Sequence, residues 1–389
     1  MELLIFVRFI IDYFWEFKIL NIVHTGIISI FALLCFFSQK NISFKVIVPD
    51  ILIFLFISIC FFSFIRSDFG EESTIDFFKM VPLIFYYIIG RCLTKDISLK
   101  YLSYFSISAV LILFLCSISG IGYQYWGSVN TFSGGYFFKT DLALAILIFL
   151  SISLAYIENS IGKLFLLMFS IIIVFLANSR ISIPILFLIM FISLYPVDKL
   201  LKNFGRNSVK IFIAILSSLL VFSFIDFSKM DMVGFDIKDP FSENSTQGRN
   251  LIWAAILDYY NSLSIFQKIF GAGMASDLVA ASVFYQDPRF EAIRAHSSYL
   301  WLLICTGWLG LIFFIAFLFS VFNFIKNSII LNRYSKKNVC IFICLLSVFI
   351  LMSFTVELII RTQITYILFF FAGLCCNIKI FKNEKIDNP

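Results

Sequence analysis

Apolar runs of roughly 17–25 residues recur along this chain, divided by short polar connections. That run length lets a helix cross a hydrocarbon core about 30 Å thick. The runs predict spans near 19–37, 46–65, 77–93, 101–119, 139–157, 162–178, 180–196, 209–227, 297–325, 339–356 and 359–377. Residues 3–17 add a short or interfacial helix, for a total of about 11–12. The runs are continuous rather than alternating, which argues against a β-barrel. One interval departs from the pattern. Residues 226–295 are polar over about 70 positions, and a new apolar run starts at His296-Ser297-Ser298-Tyr299-Leu300.

Composition agrees with the bilayer as solvent. The chain is 61% hydrophobic and 14% charged, with 52 Phe. A soluble domain is closer to half apolar and a quarter charged. The expected class is therefore all-α, a polytopic integral membrane protein forming a single transmembrane domain over 1–389. No cleavable signal peptide is expected, since Arg8, Asp12 and Glu16 interrupt the first run and no small-residue cleavage site follows. The nine cysteines lie in or beside apolar runs and read as small buried residues, not as a disulfide or metal framework. No internal repeat is visible. The longest apolar runs carry no sustained Gly or Pro interruption of the kind that marks broken transporter helices.

Charge then sets an orientation. Every second connection is basic, at Lys40 and Lys45, at Arg91, Lys95 and Lys100, at Lys163, at Lys199 to Lys210, at Lys326 to Lys337, and after Lys379. By the positive-inside rule these face the cytoplasm, and the loop 226–295 faces out. The net charge of +6 follows from the basic connections and does not imply nucleic-acid binding.

Several cations then stand on the outer side: Arg180, Arg249, Arg289, Arg294 and Arg361, with Lys79 and Lys139 at outer helix ends. A guanidinium near hydrocarbon costs roughly 2.5–3.5 kcal/mol at the helix centre and less at an interface. A phosphate compensates it well, because the guanidinium fork matches two phosphate oxygens. Snorkelling or helix capping is the plain alternative for Arg180. For Arg361 it is a pair with Glu357, four residues earlier. Arg289 and Arg294 flank Glu291 and could be ordinary solvated charges.

Within the loop, Asn244 to Arg249 reads as a turn and helix start. Leu251, Ile252, Ala255, Ile256 and Tyr259 then share one face of an amphipathic helix near 249–262. Gly271-Ala272-Gly273 marks a turn. A cation at a helix start is disfavoured unless an anion binds there. His296 is one of two histidines. It reads either as a polar cap or as a base, and adjacent arginines favour its neutral form. His24 lies in an apolar run and receives no role.

Together, Asn178-Ser179-Arg180, Gln247 to Trp253, Phe270-Gly271-Ala272-Gly273, His296 to Leu300 and Gly307-Trp308-Leu309-Gly310-Leu311 resemble the O-antigen polymerase and O-antigen ligase family of bacterial envelope glycan assembly. The likeness in hydropathy covers the whole chain, and the motifs fall in about 130 residues. Ser297 stands where many members have Asn, and Gly134 to Asp141 matches a further family motif poorly.

The resemblance implies a metal-independent glycosyltransferase without cofactor, in the bacterial inner membrane with its long loop periplasmic. It also implies an undecaprenyl-diphosphate-linked glycan as donor and acceptor, and it leaves room for a chain-length regulator as partner beside membrane lipids. His296 would be catalytic. Arg180, Arg249, Arg361 and Arg294 would bind the diphosphate. A polymerase is expected. The alternatives are a ligase acting on lipid A–core and, from another class, a lipid-linked oligosaccharide flippase.

Overall fold

The structure, a computed structural model, describes residues 2–14, 16–37, 46–93, 99–126, 129–179, 181–202, 249–284, 294–330 and 335–377. The expected span 209–227, the turn before Arg249, Arg180 and Arg289 lie outside these residues. The helices in chain order are α1 (Glu2–Tyr13), α2 (Lys18–Phe37), α3 (Val48–Ile65), α4 (Gly70–Cys92), α5 (Lys100–Ile118), α6 (Lys139–Tyr156), α7 (Ser160–Leu176), α8 (Ser182–Leu194) and α9 (Val197–Lys202). In and after the polar interval come α10 (Arg249–Ser262), α11 (Ile265–Phe270), α12 (Asp277–Phe284), α13 (Ser298–Ile330), α14 (Lys336–Met352) and α15 (Thr362–Cys375).

Among the described residues, six helices are long and apolar enough to cross a membrane, and three shorter apolar helices accompany them. The described chain is thus a helical bundle whose long apolar helices are compatible with a polytopic membrane protein. Helices α6, α14 and α15 form its centre and are buried along nearly their whole length. By contrast, α2 keeps Ile22, Val23, Ile27, Ile30 and Phe37 exposed, as a lipid-facing helix would.

Two elements are not visible in the hydropathy. Tyr123–Trp126 and Val129–Phe132 form an antiparallel hairpin, β1 and β2, so the fold is not purely helical. Its eight residues fall between two spans, too short to show as a period. The interval 226–295 also carries α11 and α12 besides α10. Ser264 starts α11 as an N-cap, accepting from Gln267 N–H at 3.3 Å, while the Gln267 side chain accepts from Ser264 N–H at 3.1 Å. In α10 the buried residues are Ile252, Ala255 and Ile256, at helical spacing on one face.

The longest helices are expected to carry no sustained Gly or Pro interruption, and α13 does break at a single residue, Gly307, where φ is 68° and ψ is −171°. Such a break frees backbone carbonyls that need partners. Ala272 N–H donates to Ile304 C=O at 2.8 Å, and Ser63 Oγ donates to Cys305 C=O. The turn at Gly271 therefore plugs the break. Space for it exists only because both partners are glycines. A Cβ on Gly271 would overlap the Cys305 carbonyl, and one on Gly307 would overlap Ile269 and Gly271 backbone. Both also have positive φ, of +89° and +68°, which disfavours any side chain.

Gly271→Ala and Gly307→Ala are expected to destabilise the protein by about 1–3 kcal/mol or more each. Gly26→Ala, with nothing within 4 Å of its Cβ position, should be near neutral. Thermal unfolding of the detergent-purified protein reads the difference, and equal melting temperatures for all three would contradict this packing.

Candidate functional site

The segment that ends the polar interval is pinned on both sides. Arg294 Nη1 donates to Asp76 at 2.6 Å and to Asp277 at 3.3 Å, and Nη2 donates to Asp76 at 3.3 Å and Glu72 at 3.2 Å. Asp277 also accepts from Ala295 N–H at 3.2 Å, and Trp253 Nε1 donates to Ala295 C=O at 3.1 Å. This cluster ties α4, α10 and α12 to the start of α13. Arg294 was expected on a diphosphate. Its guanidinium is instead committed to three carboxylates, two of them on fully buried side chains. It acts as a clamp, and two of its carboxylates, Asp76 and Glu72, lie 218 and 222 residues away in sequence.

Beyond the clamp the chain turns sharply at His296, whose φ of 47° is left-handed. The turn is held from the α14–α15 connection. Glu357 accepts from His296 N–H, Ser353 C=O accepts from Ser298 N–H at 2.9 Å, and Val356 C=O accepts from Ser298 Oγ at 3.1 Å. Ser297 Oγ donates to Ser353 C=O at 3.2 Å, so this hydroxyl serves the backbone. The same carboxylate of Glu357 lies 3.5 Å from His296 Nδ1, and the imidazole is 41% exposed. Burial lowers the His296 pKa. Glu357 raises it, and Arg249 and Arg361 lower it further, with a net downward shift. The ring is therefore neutral near pH 7.

Arg361 does not pair with Glu357. Leu358–Ile360 is a 3-10 turn and α15 starts only at Thr362, so the helical i, i+4 geometry is missing. Arg361 donates to Asp141 at 3.1 Å and lies over the Phe138 ring at 5.5 Å. Glu357 is left to His296. Arg249, at the start of α10, is partly buried and makes no ion pair among the described residues. Burial lowers its pKa, and Glu357 partly offsets this. Among the cations expected to hold diphosphate and described here, Arg249 alone keeps its charge unmatched.

Beside Glu357 opens a cavity of about 370 Å³, lined by residues of α1, α2, α4, α6 and the segment 360–363. Arg8 is among its lining residues. Arg8 is buried and donates to Asp12, to Asn21 at 2.8 Å and to Thr362 at 2.8 Å. Hydropathy marked α1 only as short or interfacial. Its buried Arg8–Asp12 pair is the signal that could have placed it in the site, since an ion pair four residues apart in an apolar helix must face protein or water.

The structure thus gathers His296, Arg249 and Arg361 around Glu357, and sets Arg294 into a neighbouring clamp. The sequence reading gave Glu357, Asp141, Asp12 and Arg8 no role in the site. The chain matches no protein-family model and no curated protein.

Burial pushes the Asp277 carboxyl up to about 7, against the pull of Arg294. Its folded pKa lies above the ordinary value near 3.9, so the fold holds a proton that the unfolded chain releases. This group therefore lowers stability progressively as pH rises from about 4 to about 7. Arg294→Met is expected to cost about 3–5 kcal/mol, because it leaves buried carboxylates unpaired. The loss should be larger at pH 8 than at pH 5, where Asp277 is protonated. Melting curves at both pH values check this, and a loss independent of pH would contradict the assignment.

Proposed function

We propose that this protein is a glycosyltransferase of the membrane's outer face, an O-antigen polymerase joining undecaprenyl-diphosphate-linked repeat units. The orientation is the one given by the basic connections, with residues 226–295 periplasmic. The observation that carries the reading is Arg249. A partly buried guanidinium without an ion pair among the described residues, near a neutral histidine held by a carboxylate, suits an anionic leaving group beside a base.

In this reading the acceptor sugar hydroxyl attacks the anomeric carbon of the donor. The new C–O bond forms as the bond to diphosphate breaks, and the undecaprenyl diphosphate leaves with the electron pair. His296 takes the hydroxyl proton on Nε2, with Nδ1 directed to Glu357, which orients the ring and stabilises its charged form. Arg249 stabilises the charge growing on the diphosphate, with Arg180 as its expected partner. No step calls for a metal or cofactor.

The break at Gly307 favours a flippase, since transporters use broken helices at their sites. Its freed carbonyls are taken up by Ala272 and Ser63, so they offer nothing to a substrate. The transfer reading is preferred for that reason.

Deleting the gene should leave single repeats on the surface glycan, and the intact gene should restore the ladder on a gel. His296→Ala and Arg249→Ala should fail to restore it at normal protein level, with a rate loss on the order of 10²-fold or more. Normal ladders in both variants would overturn the reading. Lipid-linked polymer accumulating with no glycan on the core would instead mean a ligase.

The acidic limb of the rate should lie below the ordinary histidine value of about 6.5. Glu357→Gln removes the group that raises the His296 pKa, so it should move that limb lower and slow the transfer. An unmoved limb in pH–rate profiles of the purified enzyme would remove Glu357 from the mechanism.

A further inference from the structure

The cavity beside Glu357 has a charge pattern that a diphosphate would not select. Four cations line it: Arg8, Lys79, Arg294 and Arg361. Each is already matched. Arg8 pairs with Asp12, Lys79 with Asp76 at 3.6 Å, Arg294 with Asp76 and Asp277, and Arg361 with Asp141. Glu357 adds one more carboxylate to the wall. An entering anion would meet cations whose charge is cancelled and carboxylates that repel it. Arg249, the unmatched cation, is not among the lining residues.

What the cavity does offer is donors and acceptors fixed side by side. A hydroxyl suits that arrangement, because it donates to a carboxylate and accepts from a guanidinium or amide at the same time. Two neutral groups on the wall point the same way. Gln363 has its side-chain oxygen buried without a partner, and the side chain makes no hydrogen bond among the described residues. A buried amide left unpaired costs free energy, and a ligand that pairs it recovers that cost. Phe137, 43% exposed, brings an aromatic ring to the same wall. The volume of about 370 Å³ is in the roughly 300–1,000 Å³ range of small-ligand sites.

We propose that this cavity is a sugar subsite that takes an uncharged glycan ring, while the diphosphate lies outside it at Arg249. The assignment rests on the glycosyl-transfer reading and adds to it which part of the substrate goes where. Glu357 joins the two parts, since it lines the cavity and also holds His296. A ring in the cavity therefore has its hydroxyls near the base, and α1, through Arg8 and Asp12, becomes part of the recognition of the glycan.

Two probes separate the parts: bare undecaprenyl diphosphate, and the glycan-bearing lipid extracted from cells that lack the gene. Both are titrated against the full-length protein in detergent. The wild type is expected to bind the glycan-bearing lipid more tightly. Gln363→Leu and Phe137→Ala should each lose on the order of tenfold of that advantage while binding the bare lipid as the wild type does. Gln363→Leu should melt no lower than the wild type, because no hydrogen bond within the protein is lost. Arg249→Ala should weaken both probes. If both cavity variants keep the advantage, or weaken the two lipids alike, the sugar subsite is overturned and the transfer reading stands. If the wild type binds neither probe, the transfer reading falls and the subsite with it.

Discussion

The arrangement depends first on a buried guanidinium with three carboxylates. Arg294 lies between Asp76, Asp277 and Glu72, and the bonds to the first two are removed from water. Taking such charges out of water is costly unless geometry and further hydrogen bonds repay it. Here the repayment includes the N–H of Ala295, one residue before the histidine. The chain therefore returns from the polar interval at a fixed point on α4. The left-handed turn at His296 and the register of α13 follow from that point.

The same economy of charge governs the rest of this end of the bundle. Arg8 is matched by Asp12 and Arg361 by Asp141, each within a wall made of apolar helices. A membrane protein that collects this many charges in one place must neutralise them locally. The exception is then informative. Arg249 stands unmatched among the described residues, and Glu357 is shared between backbone, imidazole and cavity.

Packing explains how the polar end stays open. The break at Gly307 lets the Gly271 turn sit inside the line of α13, and that insertion fixes α11 and the start of α12 over the bundle. At the opposite end, α4 and α15 approach through Gly90 and Gly373. A Cβ on Gly90 would lie 2.6 Å from Leu374 N, and Arg91 there is matched by Asp50 at 2.9 Å. The bundle is thus tight where α4 meets α15 at that end and spread where the cavity opens between α1, α2, α4 and α6.

Sequence alone marked an apolar helical class and most of the long helices. Apolar run length and composition imply a bilayer, and most described runs end within about five residues of the helices found, while α4 begins at Gly70, well ahead of the run 77–93. Sequence also marked His296 and Arg249 by their place in the polar interval. It could not decide the pairing of charges. Arg294 meets Asp76 across 218 residues and Arg361 meets Asp141 across 220. The local rule offered Glu357 to Arg361, and the 3-10 turn between them removed it. An ion pair is chosen by which side chains the packed helices bring within a few ångströms, and that information belongs to the tertiary structure.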